Sequence, residues 1–462
     1  MYRKIGNRKM QYLNYCMVFV FILLAMMPVS ATHAATLAEN NTKIIRNIFA
    51  DGQYINWDGI SNVCPFQDAE GNYCFGYSTK NAVVIVKTEK GKALKERVKL
   101  IRQNPLFGGV ISDENGYYYV VTGKANPGED RYANTIFISK YDSKGNYMQT
   151  VGNCGNSGMA DWWVDADAHT KLPFHAGNCD IAINGEILTV NYARTMYNGH
   201  QSNSILTINK NTMQQISIGD NYNSHSFAQR VVPYKNGFLF ASEGDAYDRA
   251  FTLSFQSSTT STNKEANVFH FWLEKGKEMD MGVVNNNFAH MGGVVVLDDA
   301  HVALVGTSVP SMNEDAKKEK EQIFIQIFDP AKDLTQASAY TTVGSRSGYS
   351  GRNGDEVVTD YGVKWLTSVS KNIEIKNPQV VAIENQKAVI LFEQYRKYKY
   401  QGIYSIILDQ YGNIISEKQN LSKTAHLNPC EMPIFTNGAI YWTGNKEKDT
   451  KQYMYIFKLQ LD

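Results

Sequence analysis

Seven stretches of this chain share one pattern, and that repetition constrains the fold more than any other feature. Each has a small or polar start, a short apolar run, a turn and a second apolar run. They are Ser61–Tyr77, Gly108–Val121, Gly177–Val190, Ala228–Ala241, Gly292–Val305, Pro378–Leu391 and Pro429–Trp442. A period this regular means that each unit is one supersecondary element that must stack on its neighbours to bury its faces. Asn-Gly recurs at the turn, at Asn115-Gly116, Asn184-Gly185, Asn236-Gly237 and Asn437-Gly438. Between apolar runs that dipeptide marks a β-hairpin, because a type I′ turn needs φ > 0 at both central residues.

A third apolar run follows each hairpin, as in Thr135–Tyr141, Ile323–Phe328 and Ile403–Leu408. Several units then turn through glycine into a fourth, as in Asp409–Ser416. Four antiparallel strands per unit, repeated radially, describe a β-propeller blade. The expectation is an all-β chain: a seven-bladed β-propeller of four-stranded antiparallel blades. The last unit stops after its third strand, so an N-terminal strand, expected at Lys43–Phe49, must close the ring and cover the open edge. Two β-sandwiches would also fit the strand spacing. Aromatics at 12%, with 28 Tyr, suit pleated, half-buried strands.

The first residues are basic (Arg3, Lys4, Arg8 and Lys9). An apolar run from Met17 to Met27 and the small residues Ala31-Thr-His-Ala-Ala35 come next. That is the pattern of a signal peptide over residues 1–34, cleaved after Ala34. It leaves one propeller domain, 35–462, and a secreted or cell-surface location. The run is too short to cross a bilayer easily, and no later segment is apolar for long enough. Without residues 1–34 the balance is 42 Lys+Arg against 45 Asp+Glu. That offers no electrostatic case for nucleic acid. Export permits disulfides among Cys64, Cys74, Cys154, Cys179 and Cys430. The expected pair is Cys64–Cys74 across the first hairpin, or Cys64–Cys430 between the first and last blades.

The units are longer than the about 40–50 residues of a minimal blade, and the excess falls in loops. Ser308–Glu321 reads as a solvated charged loop and Gly344–Asp355 as a mobile one. Residues 151–173 carry Trp162-Trp163 and Asp165-x-Asp167-x-His169. The latter lacks the glycine and terminal Glu of a calcium loop, so no metal site and no cofactor are expected. The sialidase Asp box, the Gly-x-Ser-x-Gly elbow and the Walker and dinucleotide motifs are absent.

Polar residues concentrate between His175 and Arg249, where three of the nine histidines fall. His175, His225, His290 and His426 all stand just before an inner strand, so radial repetition would bring them together at the mouth of the central channel. The expected ligand-binding set is His175, Arg194, Tyr197, His200, His225, Gln229, Arg230, Asp245, Arg249 and His290. The rival reading is that these residues tie blades together through satisfied hydrogen bonds, with Asp245 and Arg249 as a buried pair.

Within this stretch His200-Gln-Ser-Asn203, Ser224-His-Ser-Phe227 and Gly244-Asp-Ala-Tyr-Asp-Arg249 resemble motifs of secreted, propeller-like proteins of Gram-positive bacteria, often found with cell-surface modules. The resemblance covers about residues 175–255, a fifth of the chain, and brings no activity with it. Those proteins carry Pro where this chain has Asp248. The functional expectation is a binding module for a glycan or peptide. The alternative is a carbohydrate-active enzyme such as a polysaccharide lyase, with His175, Tyr192, Arg194, His225 and Arg230 as acid, base and charge-stabilising candidates.

Overall fold

Seven antiparallel blade sheets follow one another along the chain, each built on four strands with one further short strand in the third, and each expected hairpin forms the first two of the four. A computed structural model describes residues 35–40, 62–89, 92–155, 169–196, 199–216, 223–244, 249–257, 260–271, 289–313, 318–350, 355–447 and 453–461. Blade 1 comprises Val63–Gln67, Tyr73–Ser78, Ala82–Glu89 and Lys92–Ile101. Blade 2 comprises Leu106–Ser112, Tyr118–Gly123, Ile136–Tyr141 and Tyr147–Asn153. Blade 3 holds Cys179–Asn184, Ile187–Met196, Gln201–Asn209 and the short Gln214–Gln215. Blade 4 holds Ser226–Tyr234, Gly237–Gly244, Ala250–Ser257 and Thr260–His270. Blade 5 is His290–Asp298, His301–Ser308, Gln322–Phe328 and Lys364–Trp365. Blade 6 is Ile373–Ile383, Lys387–Arg396, Lys399–Leu408 and Ile414–Ser422. Blade 7 is Ile434–Thr436, Ala439–Gly444 and Tyr455–Leu461, with Ala35–Asn40 as its fourth strand.

Burial along the strands explains the sequence pattern. Second strands such as Tyr118–Gly123 and Gly237–Gly244 are buried at every residue, because a neighbouring blade covers each face. They therefore read as continuous apolar runs rather than alternations. The outer strand Lys92–Ile101 is largely exposed and charged. Seven apolar layers separate the seven blades. Blades 1 and 2 share Ile85, Phe107 and Val120. Blades 2 and 3 share Val121, Ile138, Val190 and Leu206, and blades 3 and 4 share Ala182, Val231 and Phe240. Phe269 and Phe324 stack between blades 4 and 5, centroids 4.0 Å apart and 4° from parallel. Similar layers join blades 5 to 6 and 6 to 7. The last joins blade 7 to blade 1 through Ile456, Ala439, Phe75 and Val63. A closed cycle of blade-to-blade cores excludes two sandwiches, whose sheets would pair face to face.

The ring closes as expected with an N-terminal strand, but that strand is Ala35–Asn40. It pairs antiparallel with Tyr455–Leu461 from Ala35↔Leu461 to Asn40↔Ile456. The expected Lys43–Phe49 lies outside the described residues. Gln67 Nε2 donates to Thr436 Oγ1 at 2.9 Å, and Tyr73 stacks on Tyr441 at 5.4 Å, across the same junction.

Four local expectations are corrected. Asn-Gly marks each turn, yet both residues are left-handed only at Asn437-Gly438 (φ 50° and 72°); at Asn236-Gly237 it is Lys235 that takes φ 49°. Cys64 stands opposite Gly76, and Cys74 opposite Phe66, so the two cysteines are offset by two residues across the hairpin. No disulfide joins any of the five cysteines, Cys430 included. Gly344–Asp355 contributes a strand, Ser345–Ser350, to a hairpin with Glu356–Tyr361. Arg346 Nε and His270 Nδ1 both contact the buried Asp360, at 3.0 and 2.6 Å, which pins that hairpin against the outer edge of blade 4. In the loop after Ser308, Ser311 Oγ donates to Glu319 Oε1 at 2.7 Å, so part of it is tied rather than solvated. No helix among the described residues is long and apolar enough to cross a membrane.

Candidate functional site

The second strand of every blade ends at one face of the ring, and the conspicuous histidines gather on that face. His175 sits where the inner strand of blade 3 is broken. Thr170–Pro173 and Cys179–Asn184 both pair with Ile187–Met196. Between them Phe174 turns the chain at φ 64°, which makes a bulge that exposes part of His175. His175 Nδ1 lies 2.7 Å from Thr195 Oγ1.

The two short motifs meet in space. Asn203 and Asn223 exchange contacts: the Asn223 N–H donates to Asn203 Oδ1 at 2.6 Å and the Asn203 N–H to the Asn223 carbonyl at 3.3 Å. The His225 N–H donates to the Gln201 carbonyl at 2.8 Å. His225 then takes φ 49°, turning the chain from the outer edge of blade 3 into the inner strand of blade 4. That geometry brings the His200 and His225 rings to 5.0 Å, 45° between planes, and Ser224 Oγ to 3.2 Å from His200 Nε2. Burial pushes the His225 imidazole down, and the charges of His200 and Arg249 add to the effect, to about 4. His225 is therefore neutral at physiological pH, with one nitrogen to donate and one to accept.

The other expected residues divide differently. Arg194 is fully buried inside blade 3. Its Nε donates to Ser202 Oγ at 2.9 Å, and another guanidinium nitrogen to Thr170 Oγ1 at 3.2 Å and to the Gly155 carbonyl. Tyr192 is buried edge-on against Phe174, ring centroids 5.9 Å apart. Burial raises its phenol pKa. Gln229 is buried in the blade 3–blade 4 seam: its N–H donates to Asn178 Oδ1 at 2.6 Å, and its side chain bonds Ser226 and Ser242. Arg230 is buried beside it and donates to the Gln229 carbonyl at 2.8 Å. Its charge acts on Asp180, whose Oδ2 accepts the Val231 N–H at 2.8 Å. Arg194, Tyr192, Gln229 and Arg230 are thus buried within blades 3 and 4, where Arg194, Gln229 and Arg230 each make at least one hydrogen bond. His290 opens the inner strand of blade 5 with its surface exposed, yet enough protein surrounds it that desolvation lowers its pKa. Tyr197, Asp245, Trp162, Trp163, Asp165 and Asp167 lie outside the described residues, so the Asp245–Arg249 alternative does too. Among the described residues no three His, Cys, Asp or Glu side chains are placed to hold a metal ion.

A second polar cluster went unrecognised in the sequence. Glu243 and Glu393 stand two residues past equivalent points of their second strands, and each accepts a backbone N–H from the next blade. Met291 donates to Glu243 Oε2 at 3.1 Å and Leu427 to Glu393 Oε1 at 2.9 Å. At blade 6 the cluster grows. His426 Nδ1 is 3.1 Å from Glu393 Oε1, its Nε2 is 2.9 Å from Glu447 Oε2, and its ring stacks on Tyr400 at 4.0 Å. Burial pulls the His426 pKa down, but the two carboxylates outweigh it and the net shift is upward. Aligning the seven hairpins and reading two residues further would have exposed the paired glutamates.

Fold and site thus define a seven-bladed propeller with a histidine-rich face. No family model matches the chain, and no curated protein sequence does. Among solved structures, a Trypanosoma rangeli sialidase in complex with the inhibitor DANA is similar at 9% identity over 93% of this chain, with a TM-score of 0.45. The match spans 60% of the sialidase chain. The N-terminal domain of Nup159 matches at 9% identity, over 93% of this chain and 96% of its own, with a TM-score of 0.43. An α-L-arabinanase of Cellvibrio cellulosa matches at 10% identity over 67% of this chain and 93% of its own, TM-score 0.30. Identities and scores this low carry no inference about activity.

Proposed function

We propose that the chain is an exported propeller that binds a glycan on its histidine-rich face, between blades 3 and 4. The observation that carries the reading is the His200–His225 pair, ring centroids 5.0 Å apart, with Ser224 Oγ 3.2 Å from His200. The neutral His225 imidazole, the His200 ring and a hydroxyl offer donors, acceptors and flat ring faces side by side, which is what a hydroxyl-rich sugar ring needs. Arg249, expected at the ligand site, is itself buried, but it is close enough to act on His225, and its positive field favours sugars that bear a carboxylate or sulfate. Export rests on the basic, apolar and small-residue pattern of residues 1–34.

Burial weighs against two of the lyase candidates, since Tyr192 and Arg194 lie inside blade 3, with Arg194 bonded to Ser202. A glycan array followed by calorimetry tests the proposal. Acidic glycans should bind, with His225→Ala and His200→Ala each weakening binding at least tenfold while the fold is kept. A folded protein that ignores every glycan, binds only peptides, or binds equally well as the His225→Ala variant overturns it.

A further inference from the structure

The second strand of blade 6 has ten residues, where the second strands of blades 4 and 5 have eight. It ends at Arg396 and turns through Lys397 and Tyr398 into Lys399–Leu408. Both turn residues are left-handed, at φ 48° and 65°. At Asn437-Gly438 the same chain makes this turn with the residues that tolerate it best. A lysine and a tyrosine there are disfavoured, and strain kept against an available alternative points to a use for the side chains.

Those side chains face solvent. Tyr398 is 85% exposed, and Arg396, Lys397 and Lys399 are exposed beside it. The Lys397 N–H donates to the Asn372 carbonyl at 2.9 Å, which brings Lys371 next to the tip. Lys376 lies 5.1 Å over the Tyr395 ring, and Lys418 Nζ donates to Gln394 Oε1 at 3.2 Å. Arg396, Lys397, Lys399 and Lys371 thus stand at or beside one projecting aromatic, with Lys376 and Lys418 further back along the same hairpin, on a chain whose formal net charge is only +1. Counter-charges stand behind the tip: Glu374 is 3.9 Å from Lys376, Glu321 also feels Lys376, and Glu393 and Glu447 act on Tyr395.

We infer that this hairpin tip docks the propeller onto an anionic lipid bilayer. A convex tip has no groove to enclose a single polymer chain, whereas a flat surface can meet the tyrosine and the cations beside it together. Tyrosine suits the headgroup level, half apolar and half polar. Lysine and arginine gain from the negative potential of anionic lipids. The tip lies on the histidine-rich face, so docking would turn that face toward the membrane.

Co-sedimentation with phosphatidylglycerol/phosphatidylcholine vesicles tests this, with pure phosphatidylcholine vesicles and soluble polyphosphate as the other arms. The wild-type protein should partition into the anionic vesicles, lose most of that binding in high salt, and ignore the neutral ones. The double substitution Lys397→Asn with Tyr398→Gly should keep or raise the Tm while cutting partitioning at least tenfold. Arg396→Gln with Lys399→Gln, which leaves the turn residues alone, should cut it severalfold and serves if the first variant folds poorly. Anionic vesicles left unbound by the wild-type protein, or bound equally by both variants, overturn the inference. Polyphosphate that competes the vesicles away through the same residues at equal charge also overturns it, in favour of a soluble polyanion.

Discussion

Glu393 holds His426 across the seam between blades 6 and 7, its Oε1 3.1 Å from His426 Nδ1, while Glu447 Oε2 takes the other ring nitrogen at 2.9 Å. Both nitrogens face carboxylates, so both must donate, and only the imidazolium can do that. Glu393 is buried and also accepts from Asn377 and Tyr395. With the pKa raised in the folded state, the stabilisation is full below the unfolded value of about 6.5 and is lost as pH rises through the folded value. Melting curves between pH 5 and 9 should show Tm falling on the alkaline side. His426→Gln should have a lower Tm at pH 5 and lack that alkaline decline; a variant with the wild-type profile would refute the assignment.

His225 has the opposite sign. Its folded pKa is about 4, so the folded state resists a proton that the unfolded chain takes up below about 6.5. Stability is intact above that value and declines as pH falls toward 4, by roughly 1–2 kcal/mol in all once solvent screening of the part-exposed ring is allowed for. His200 and Arg249 are the charges that face it. His225→Gln should flatten the acid limb of the stability profile. NMR titration of the labelled imidazole checks the cause directly: a His225 midpoint near 6.5 would contradict it.

Arg194 should behave as a structural residue. Its guanidinium joins Ser202, Thr170 and Gly155, which belong to separate segments of the chain. Arg194→Met should cost about 2–4 kcal/mol in urea unfolding, yet leave glycan affinity within about twofold wherever the variant is folded. A selective loss of affinity at unchanged stability would return Arg194 to the ligand site.

Legibility in the sequence followed what each level of structure depends on. The seven hairpins were readable because burial on both faces writes an apolar run at each second strand, as in Gly237–Gly244. Ring closure was readable as a need, since the last blade lacked a strand, but the segment was not: Lys43–Phe49 is the more apolar stretch, while Ala35–Asn40, with Leu37 its one large apolar residue, makes the pairing through its backbone. The site was readable in part. His200 and Ser224 lie 24 residues apart and meet because Asn203 and Asn223 bond. Arg194 and Tyr192 misled because inner and core positions of one strand look alike when its burial is continuous; every residue from Leu188 to Met196 is buried. The bulge at Phe174 left no mark that composition could reveal.

Gly177 sets the distance between blades 3 and 4. A Cβ built there would lie 1.8 Å from the Phe227 carbonyl oxygen, a backbone atom that cannot swing aside. The adjacent Asn178 N–H donates to that same carbonyl at 3.1 Å, so the two strands cannot part without losing it. Gly177→Ala should destabilise by about 3 kcal/mol or more, or abolish soluble expression. Gly185→Ala makes the contrast, since a Cβ there meets nothing within 4 Å and only its φ of 57° opposes the change. It should cost about 1–2 kcal/mol. Equal Tm for the two variants would refute the close-approach argument.

The closing strand gives the most direct test of the fold. Six residues, Ala35–Asn40, pair with Tyr455–Leu461, whose other edge is held by Ala439–Gly444. Removing them should leave blade 7 with three strands and expose one row of unpaired N–H and C=O groups, a template for pairing with another chain. The apolar layer between blades 7 and 1 includes Ile456, Ala439 and Phe75, all from strands that the truncation leaves in place. A chain beginning at residue 41 should therefore fold, but melt several degrees lower and self-associate with rising concentration, while the chain beginning at Ala35 stays monodisperse. A synthetic peptide of residues 35–40 added in excess should restore part of the lost Tm. Hydrogen exchange gives the site-resolved readout, with amides of Tyr455–Leu461 exchanging faster in the shortened chain and those of blade 3 unchanged. Equal melting and exchange in the two chains would show that Ala35–Asn40 does not close the ring.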